Sequence, residues 1–168
     1  MTTCISSFKP VASYNQAGLV FYEDDDNYLK FDYEYHQTAG GRVFNVGVET
    51  EGHFRGPCFP ANREFDRVWL RVIKQGNRYE LFTSLNGEVF EAELYPCFDP
   101  GGIFQDAVAW GDGRVQRVGL FAKNASRAGA PEIDASFDFF EVKVLPPKPR
   151  RAEKGISALE EKANEQPE

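Results

Sequence analysis

The sequence predicts an all-β fold, an antiparallel β-sandwich of jelly-roll type, from three observations. About eight or nine short segments alternate apolar and polar residues with the period of a strand, and short turns separate them. The dipeptide Asn86–Gly87 is the strongest turn signal, because Asn-Gly favours tight hairpins. The composition has 15 Phe and 7 Tyr but only one Met, which favours strands over helices.

The clearest single element is a β-hairpin over residues 16–35. Apolar runs at 17–22 and 28–35 flank the polar cluster 23–27, whose Asp and Asn residues accept turn geometry. Alternation in the second run predicts one buried stripe, formed by Leu29, Phe31, Tyr33 and Tyr35. The opposite stripe is expected to face solvent or a ligand, and it consists of Tyr28, Lys30, Asp32 and Glu34.

The remaining chain predicts a meander of short strands. Strands are expected at 4–11, 42–50, 67–74, 78–84, 89–94, 116–123 and 134–144. The Gly- and Pro-containing stretch 52–61 predicts an irregular loop. The long irregular region 95–113 is a candidate ligand rim, because long loops in compact domains are often functional.

These elements form one domain over residues 1–145, followed by a tail at 146–168. The tail is rich in proline and charge, and its basic and acidic residues balance, so we expect it to be disordered.

Net charge narrows the class of partner, and cysteine content indicates the cellular compartment. The net charge is −7, which argues against nucleic acid or an anionic membrane as partner. Cys4, Cys58 and Cys97 are odd in number and far apart, which favours a reducing compartment over a disulfide framework. No apolar run has signal-peptide length at the N-terminus, so a cytoplasmic location is expected.

Three segments, in this order and spacing, resemble a known group. They are QAGLVFYEDDDNYLKFDYE, VWLRVIKQGNRYELFTSLNGEVF, and RVGLFAKN with ASFDFFEV downstream. The resemblance is to the concanavalin A-like β-sandwich, of lectin/glucanase fold, that follows the catalytic domain in family 43 glycoside hydrolases of the β-xylosidase type. Related stand-alone domains of unknown function, including regulation-of-enolase-type proteins, look similar.

The resemblance covers roughly Phe8 to Val144 and implies two antiparallel sheets packed face to face. It also implies an accessory role in glycan-processing or sugar-responsive systems. That family usually has further strands before the segment that matches Phe8, so we expect either a sandwich that lacks N-terminal edge strands or a fragment of a longer gene product. An exposed edge would pair with a second copy or with a missing partner strand.

The resemblance and the alternation together predict a carbohydrate site with no catalytic residues. Aromatic faces would stack on the sugar while charged groups bond its hydroxyls. We expect Trp69 and Arg71 to meet Lys30 and Glu34, so that the hairpin forms one wall of the site. The candidate binding residues are Trp69, Arg71, Lys30, Glu34, Tyr28 and Phe82.

Two other interpretations remain open. The same side chains are also expected of ordinary cross-strand ion pairs and aromatic pairs that stabilise a sheet. The domain would then be an intracellular protein-interaction or regulatory domain without a sugar site. The other interpretation is an active glycoside hydrolase, which would need a third carboxylate.

Motifs for catalysis and metal binding are incomplete. The glucanase pattern Glu-x-Asp-x-x-Glu is matched by Glu64 and Asp66, but Trp69 occupies the third position, so leaving-group protonation lacks its acid. Calcium is the one cofactor left open, because the cluster at 23–27 offers oxygen ligands. An Asp-rich turn without metal is the alternative interpretation.

Overall fold

The computed structural model describes residues 1–58, 65–75, 78–92, 117–125, 130, 132–144 and 146. The predicted ligand rim at 95–113 and the tail at 147–168 lie outside these ranges. Ten strands are present in the described part: β1 (Thr2–Ser7), β2 (Gln16–Asp24), β3 (Asn27–His36), β4 (Gly41–Thr50), β5 (His53–Cys58), β6 (Val68–Gln75), β7 (Arg78–Ser84), β8 (Glu91–Ala92), β9 (Arg117–Lys123) and β10 (Ser136–Glu141).

The strands form two antiparallel sheets of five strands each. Sheet A has the order β10-β1-β6-β7-β8, and sheet B has the order β5-β4-β3-β2-β9. The predicted all-β sandwich and the hairpin of β2 and β3 are therefore confirmed. Among the described residues, no helix is long and apolar enough to cross a lipid bilayer.

The core lies between the sheets and follows the predicted alternation. Phe31 and Tyr33 of β3 are buried on the inner face of sheet B, and Leu70 of β6 is buried on that of sheet A. Phe21 and Tyr79 join the two sheets through an edge-to-face contact, with ring centroids 5.1 Å apart. Burial of these rings adds to the apolar area that stabilises the fold.

Two predicted elements differ from the structure. A strand, β5, occupies part of the stretch 52–61 that was expected to be an irregular loop. It is the edge strand of sheet B beside β4, where a Pro is tolerated because one side of the strand needs no partner. The entry strand β1 begins at Thr2 and lies between β6 and β10, so it is an interior strand of sheet A.

Candidate functional site

The outer face of sheet B carries a set of charged and amide side chains from three neighbouring strands. Directly paired residues in an antiparallel sheet project to the same side, so the register defines rows across the face. The rows through β4, β3 and β2 are Val43, Glu34 and Gln16; Asn45, Asp32 and Gly18; and Gly47, Lys30 and Val20.

Two glycines allow the charged side chains to occupy this face. A Cβ on Gly18 would lie 2.2 Å from the carbonyl oxygen of Phe31 and 2.6 Å from Cα of Asp32. A Cβ on Gly47 would lie 2.8 Å from Cε of Lys30 and 2.8 Å from the ring of Phe54. Any larger residue at either position would displace its neighbours on β3.

The charged stripe of β3 is buried, although the sequence led us to expect solvent or a ligand there. Asp32 and Glu34 are each 0% exposed, and Lys30 is 8% exposed. Buried charges are costly unless they are paired or neutralised, so this cluster needs internal compensation. We name it the outer-face polar cluster, and its members are Gln16, Lys30, Asp32, Glu34, His36 and Asn45.

Part of the compensation is an ion pair and an amide hydrogen bond. The Lys30 Nζ lies 3.4 Å from Oδ2 of Asp32. Gln16 donates a hydrogen bond from Nε2 to Oε2 of Glu34. Three carboxyl oxygens, Asp32 Oδ1, Asp32 Oδ2 and Glu34 Oε1, accept no hydrogen bond from the described residues. The Asp32 carboxylate is stabilised by the charge of Lys30 and by its interactions with Glu34 and Asn45.

A retained proton supplies the remaining compensation. Burial, followed by repulsion from Asp32, raises the pKa of Glu34 to about 8. Burial also raises the pKa of Asp32, and the positive charge of Lys30 opposes that rise. We assign the proton to Glu34 at neutral pH, which leaves Asp32 ionised opposite Lys30. A neutral Glu34 carboxyl can donate a hydrogen bond to the Asp32 carboxylate.

Aromatic side chains border the cluster. The Lys30 Nζ lies 6.0 Å from the ring centroid of Phe54 and 5.9 Å from that of Phe121. Tyr14 makes an edge-to-face contact with His36, with ring centroids 5.5 Å apart. Burial lowers the pKa of His36, and the charge of Lys30 lowers it further, which favours a neutral imidazole.

The predicted site residues do not form one site. Trp69, Arg71 and Phe82 belong to β6 and β7 of sheet A, whereas Lys30 and Glu34 belong to β3 of sheet B. Both groups alternate with core residues and so project from the outer faces, as the alternation predicted. Those faces lie on opposite sides of the sandwich, so the expectation that the two groups meet is wrong.

The sheet A candidates have protein partners of their own. The guanidinium carbon of Arg67 lies 5.8 Å from the ring centroid of Trp69. Gly87, at φ 78°, lies so close that an added Cβ would be 2.9 Å from the Trp69 indole. The guanidinium carbon of Arg71 lies 3.4 Å from the ring centroid of Phe90. Trp69 is half-buried as a result, and so is Phe82.

Tyr28 lies on the outer face of sheet B, at the end of the β3 stripe that carries Lys30. Burial is the main cause that raises the pKa of Tyr28, and a hydrogen bond to Glu49 adds to the rise. Tyr28 thus projects on the same side as the outer-face polar cluster, and its hydroxyl is already bonded to Glu49, its neighbour on β4.

The acidic turn and the partial glucanase motif do not converge on a site. Asp24 Oδ1 accepts hydrogen bonds from Asp26 N and from Asn27 Nδ2, both at 2.9 Å, as expected of a turn. Asp66 is exposed, and its Oδ1 lies 3.6 Å from the Lys9 Nζ. Glu64 is outside the described residues. In the described part of the chain, no three His, Cys, Asp or Glu side chains are grouped to hold a metal ion.

Sequence reasoning missed several members of the site, namely Gln16, His36, Asn45, Phe54 and Phe121. A signal for some of them existed, because polar and glycine residues alternate with core residues in β4 at Asn45 and Gly47. Phe121 gave no such signal. It lies beside Gly18 only because β9 pairs with β2, and these strands are about a hundred residues apart in sequence.

The fold and this face define a two-sheet antiparallel β-sandwich with a buried polar cluster on one outer face. Residues 1–144 match the family described as protein of unknown function (DUF1349), and the chain belongs to that family. A comparison with curated proteins found no match.

Solved structures share the fold. A mutant of the GH43 protein BlXynB from Bacillus licheniformis has 21% identity and a TM-score of 0.59, over 81% of this chain and 25% of that one. Xylan beta-1,4-xylosidase from Bacillus halodurans has 20% identity and a TM-score of 0.56, over 82% of this chain and 26% of that one. This chain therefore spans about a quarter of the length of each, and the likeness is one of fold.

Proposed function

We propose that the domain is a non-catalytic carbohydrate-binding module that holds a sugar on the outer face of sheet B. The observation that carries the proposal is aromatic surface beside a cation on this face, because Phe54 is 45% exposed and its ring centroid lies 6.0 Å from the Lys30 Nζ. Sugar hydroxyls can accept hydrogen bonds from the Lys30 ammonium, which is the most exposed group of the cluster.

The border of the cluster suits the apolar side of a sugar ring. Lys30 is the most exposed member of the outer-face polar cluster, at 8%, so we expect the ligand to approach there. Phe54 and Phe121 flank its ammonium group, and Phe54 is 45% exposed. A few fixed polar groups beside aromatic surface are typical of small-molecule sites.

Trp69, Arg71 and Phe82 have no part in this proposal, because they project from the opposite side of the sandwich. Of the residues named from the sequence, Lys30 remains as a hydroxyl partner, Glu34 as a buried residue beneath this face, and Tyr28 as a neighbour on the same face. The proposed mechanism is therefore hydrogen bonding at the cluster with stacking on Phe54.

Isothermal titration with xylotetraose and soluble xylan tests the proposal. Xylan is the first polysaccharide to try, because one solved structure of this fold is a xylan beta-1,4-xylosidase. Cellotetraose and mannotetraose complete the panel. We expect Phe54→Ala to weaken binding by about tenfold, the equivalent of one lost stacking contact.

Phe139→Ala is the matched control. Phe139 is 41% exposed, close to the value for Phe54, but it belongs to β10 of sheet A. Equal effects of the two substitutions would overturn the proposed location. Absence of binding to every glycan in the panel would reject the sugar site and favour the alternative, a protein-interaction or regulatory domain.

A further inference from the structure

A cleft of about 780 Å³ lies at the end of sheet A where β1 begins, and we call it the terminal cleft. Thr2 pairs with Arg71 of β6 on one side and with Glu141 of β10 on the other. The cleft is lined by residues 71–75 of the β6 side and 141–144 of the β10 side. It therefore lies in line with β1, between the same two neighbours. None of its lining residues belongs to the outer-face polar cluster.

The hydrogen bonds between Met1 and Val72 show how a strand in line with β1 would lie in the cleft. Val72 N donates to the carbonyl oxygen of Met1 at 2.9 Å, and the amino group of Met1 donates to the carbonyl oxygen of Val72 at 2.9 Å. This reciprocal pair is the pattern of an antiparallel ladder. A chain placed beyond Met1 would run antiparallel to both neighbours.

The side of the cleft that faces sheet B is apolar. Phe21 and Val118 pair with each other on the inner face of sheet B, and both line the cleft. Val118 is 37% exposed and Val142 is 53% exposed, so inner-face apolar surface reaches solvent here. An apolar side chain that entered from the cleft would cover this surface and extend the core.

The charged side chains of the cleft are mostly basic. Arg71, Lys74 and Lys143 line it together with one acid, Glu141. Lys143 Nζ lies 2.9 Å from Glu141 Oε2, so this pair is locally neutral. The excess of positive charge stands out in a chain whose net charge is −7. Charge complementarity therefore favours an occupant that carries acidic side chains.

We propose that the terminal cleft binds an extended segment of a partner protein, which joins sheet A as a strand antiparallel to β6. Apolar side chains of the segment cover Phe21 and Val118, and an acidic side chain on an alternate position approaches Arg71. Strand addition gains affinity from backbone hydrogen bonds and specificity from alternate side chains. At about 3.3 Å per residue, three to four residues match the length of β6 that borders the cleft.

Fluorescence anisotropy with a labelled, end-capped peptide of sequence Val-Glu-Val-Glu-Val tests the proposal on the full chain. The reversed-charge peptide Val-Lys-Val-Lys-Val is its control, and we expect it to bind about tenfold more weakly or worse. Hydrogen exchange should slow at the Lys74 amide, which follows Val72 on the β1 side of β6, and at amides of residues 142–144 when the acidic peptide binds. Equal affinity for the two peptides, or protection elsewhere, would overturn the proposal.

Val118→Asp and Leu120→Asp form a matched pair of variants. Both residues project from the inner side of β9, at 37% and 36% exposure, but only Val118 lines the cleft. We expect Val118→Asp to reduce peptide affinity by about tenfold or more, and Leu120→Asp to leave it unchanged. Circular dichroism confirms that both variants fold, and equal effects would contradict the cleft as the site.

A second copy of this chain is the other occupant that the cleft could take. Sedimentation of the unliganded chain tests for it by measuring the oligomeric state. The wild type would then form a dimer whose fraction rises with concentration. If Val118→Asp prevents this dimer and Leu120→Asp does not, a second copy fills the cleft. That result would overturn the assignment to a separate partner protein. A chain that stays monomeric at all concentrations, and that binds the acidic peptide, supports it.

Discussion

Gln16 and Glu34 lie directly opposite each other on β2 and β3, and the Gln16 amide donates to the Glu34 carboxyl on the outer face of sheet B. This hydrogen bond fixes Oε2 of Glu34, while the other oxygen, Oε1, is buried and takes no part in it. The carboxyl is fully buried beside Asp32, so its protonation state is part of the stability of the fold.

The first prediction concerns the pH dependence of folding. Glu34 has an ordinary pKa of 4.5 and a folded pKa of about 8, so the folded state binds more protons between these values. Stability from this group is fully present below about pH 4.5 and is lost as pH rises toward 8. We expect Glu34→Gln to remove this loss, because the amide mimics the neutral carboxyl and can still donate to Asp32.

Urea denaturation at pH 5.5 and 8.5 measures the effect. At pH 8.5 we expect Glu34→Gln to exceed the wild-type free energy of unfolding by about 1–3 kcal/mol. Glu88→Gln is the control, because Glu88 is exposed in the turn after β7 and should change stability little at either pH. A wild-type stability that does not decrease between these two pH values would contradict the assigned proton.

The second prediction concerns the buried ion pair. Lys30→Met leaves the Asp32 carboxylate without its positive partner, and we expect it to destabilise the fold by about 3–5 kcal/mol. The double variant Lys30→Met with Asp32→Asn removes both charges and should recover most of that loss. Chemical denaturation of the two single variants and the double variant gives the coupling. Additive losses would show that the pair is not coupled.

The third prediction concerns the close approach of β2 and β3. Gly18→Ala places a methyl group 2.2 Å from the Phe31 carbonyl oxygen, which is backbone and cannot rotate away. We expect a loss of about 2–4 kcal/mol, typical of a severe overpacking change. Gly119→Ala is the matched control on the adjacent strand β9, because an added Cβ there meets no atom within 4 Å.

Thermal unfolding followed by circular dichroism compares the two alanine variants. The control should unfold within a few degrees of the wild type, since surface changes of this kind are usually within about 0.5 kcal/mol. A Gly18→Ala variant as stable as Gly119→Ala would show that β2 and β3 separate more easily than their packing indicates.

The fourth prediction concerns the turn that covers Trp69. Gly87 has φ 78°, and an added Cβ would lie 2.9 Å from the indole ring. We expect Gly87→Ala to cost about 1–3 kcal/mol, because backbone strain adds to the contact with the ring. The Trp69 fluorescence should also shift as the indole is displaced. Leu85→Ala in the same turn is the control, because Leu85 is 61% exposed.

Much of the sandwich could be predicted from local patterns. The stripe of Leu29, Phe31 and Tyr33 identified the inner face of β3, and Asn86–Gly87 identified a turn. The strand β5 was missed because its Gly and Pro residues are typical of loops, and only its pairing with β4 shows it to be a strand. Edge strands satisfy weaker sequence requirements than central strands, so their patterns are less informative.

By itself, the sequence determined that the chain forms strands and which side chains leave the core, because the period-two alternation is a property of each strand alone. Only the tertiary structure decided that Trp69 and Lys30 lie on opposite sides of the molecule, and that Asp32 and Glu34 are buried together, which raises the pKa of both. Those outcomes depend on strand order and on pairing between distant segments. The physical reason is that burial and electrostatic coupling arise from the neighbours a strand acquires in the sheet.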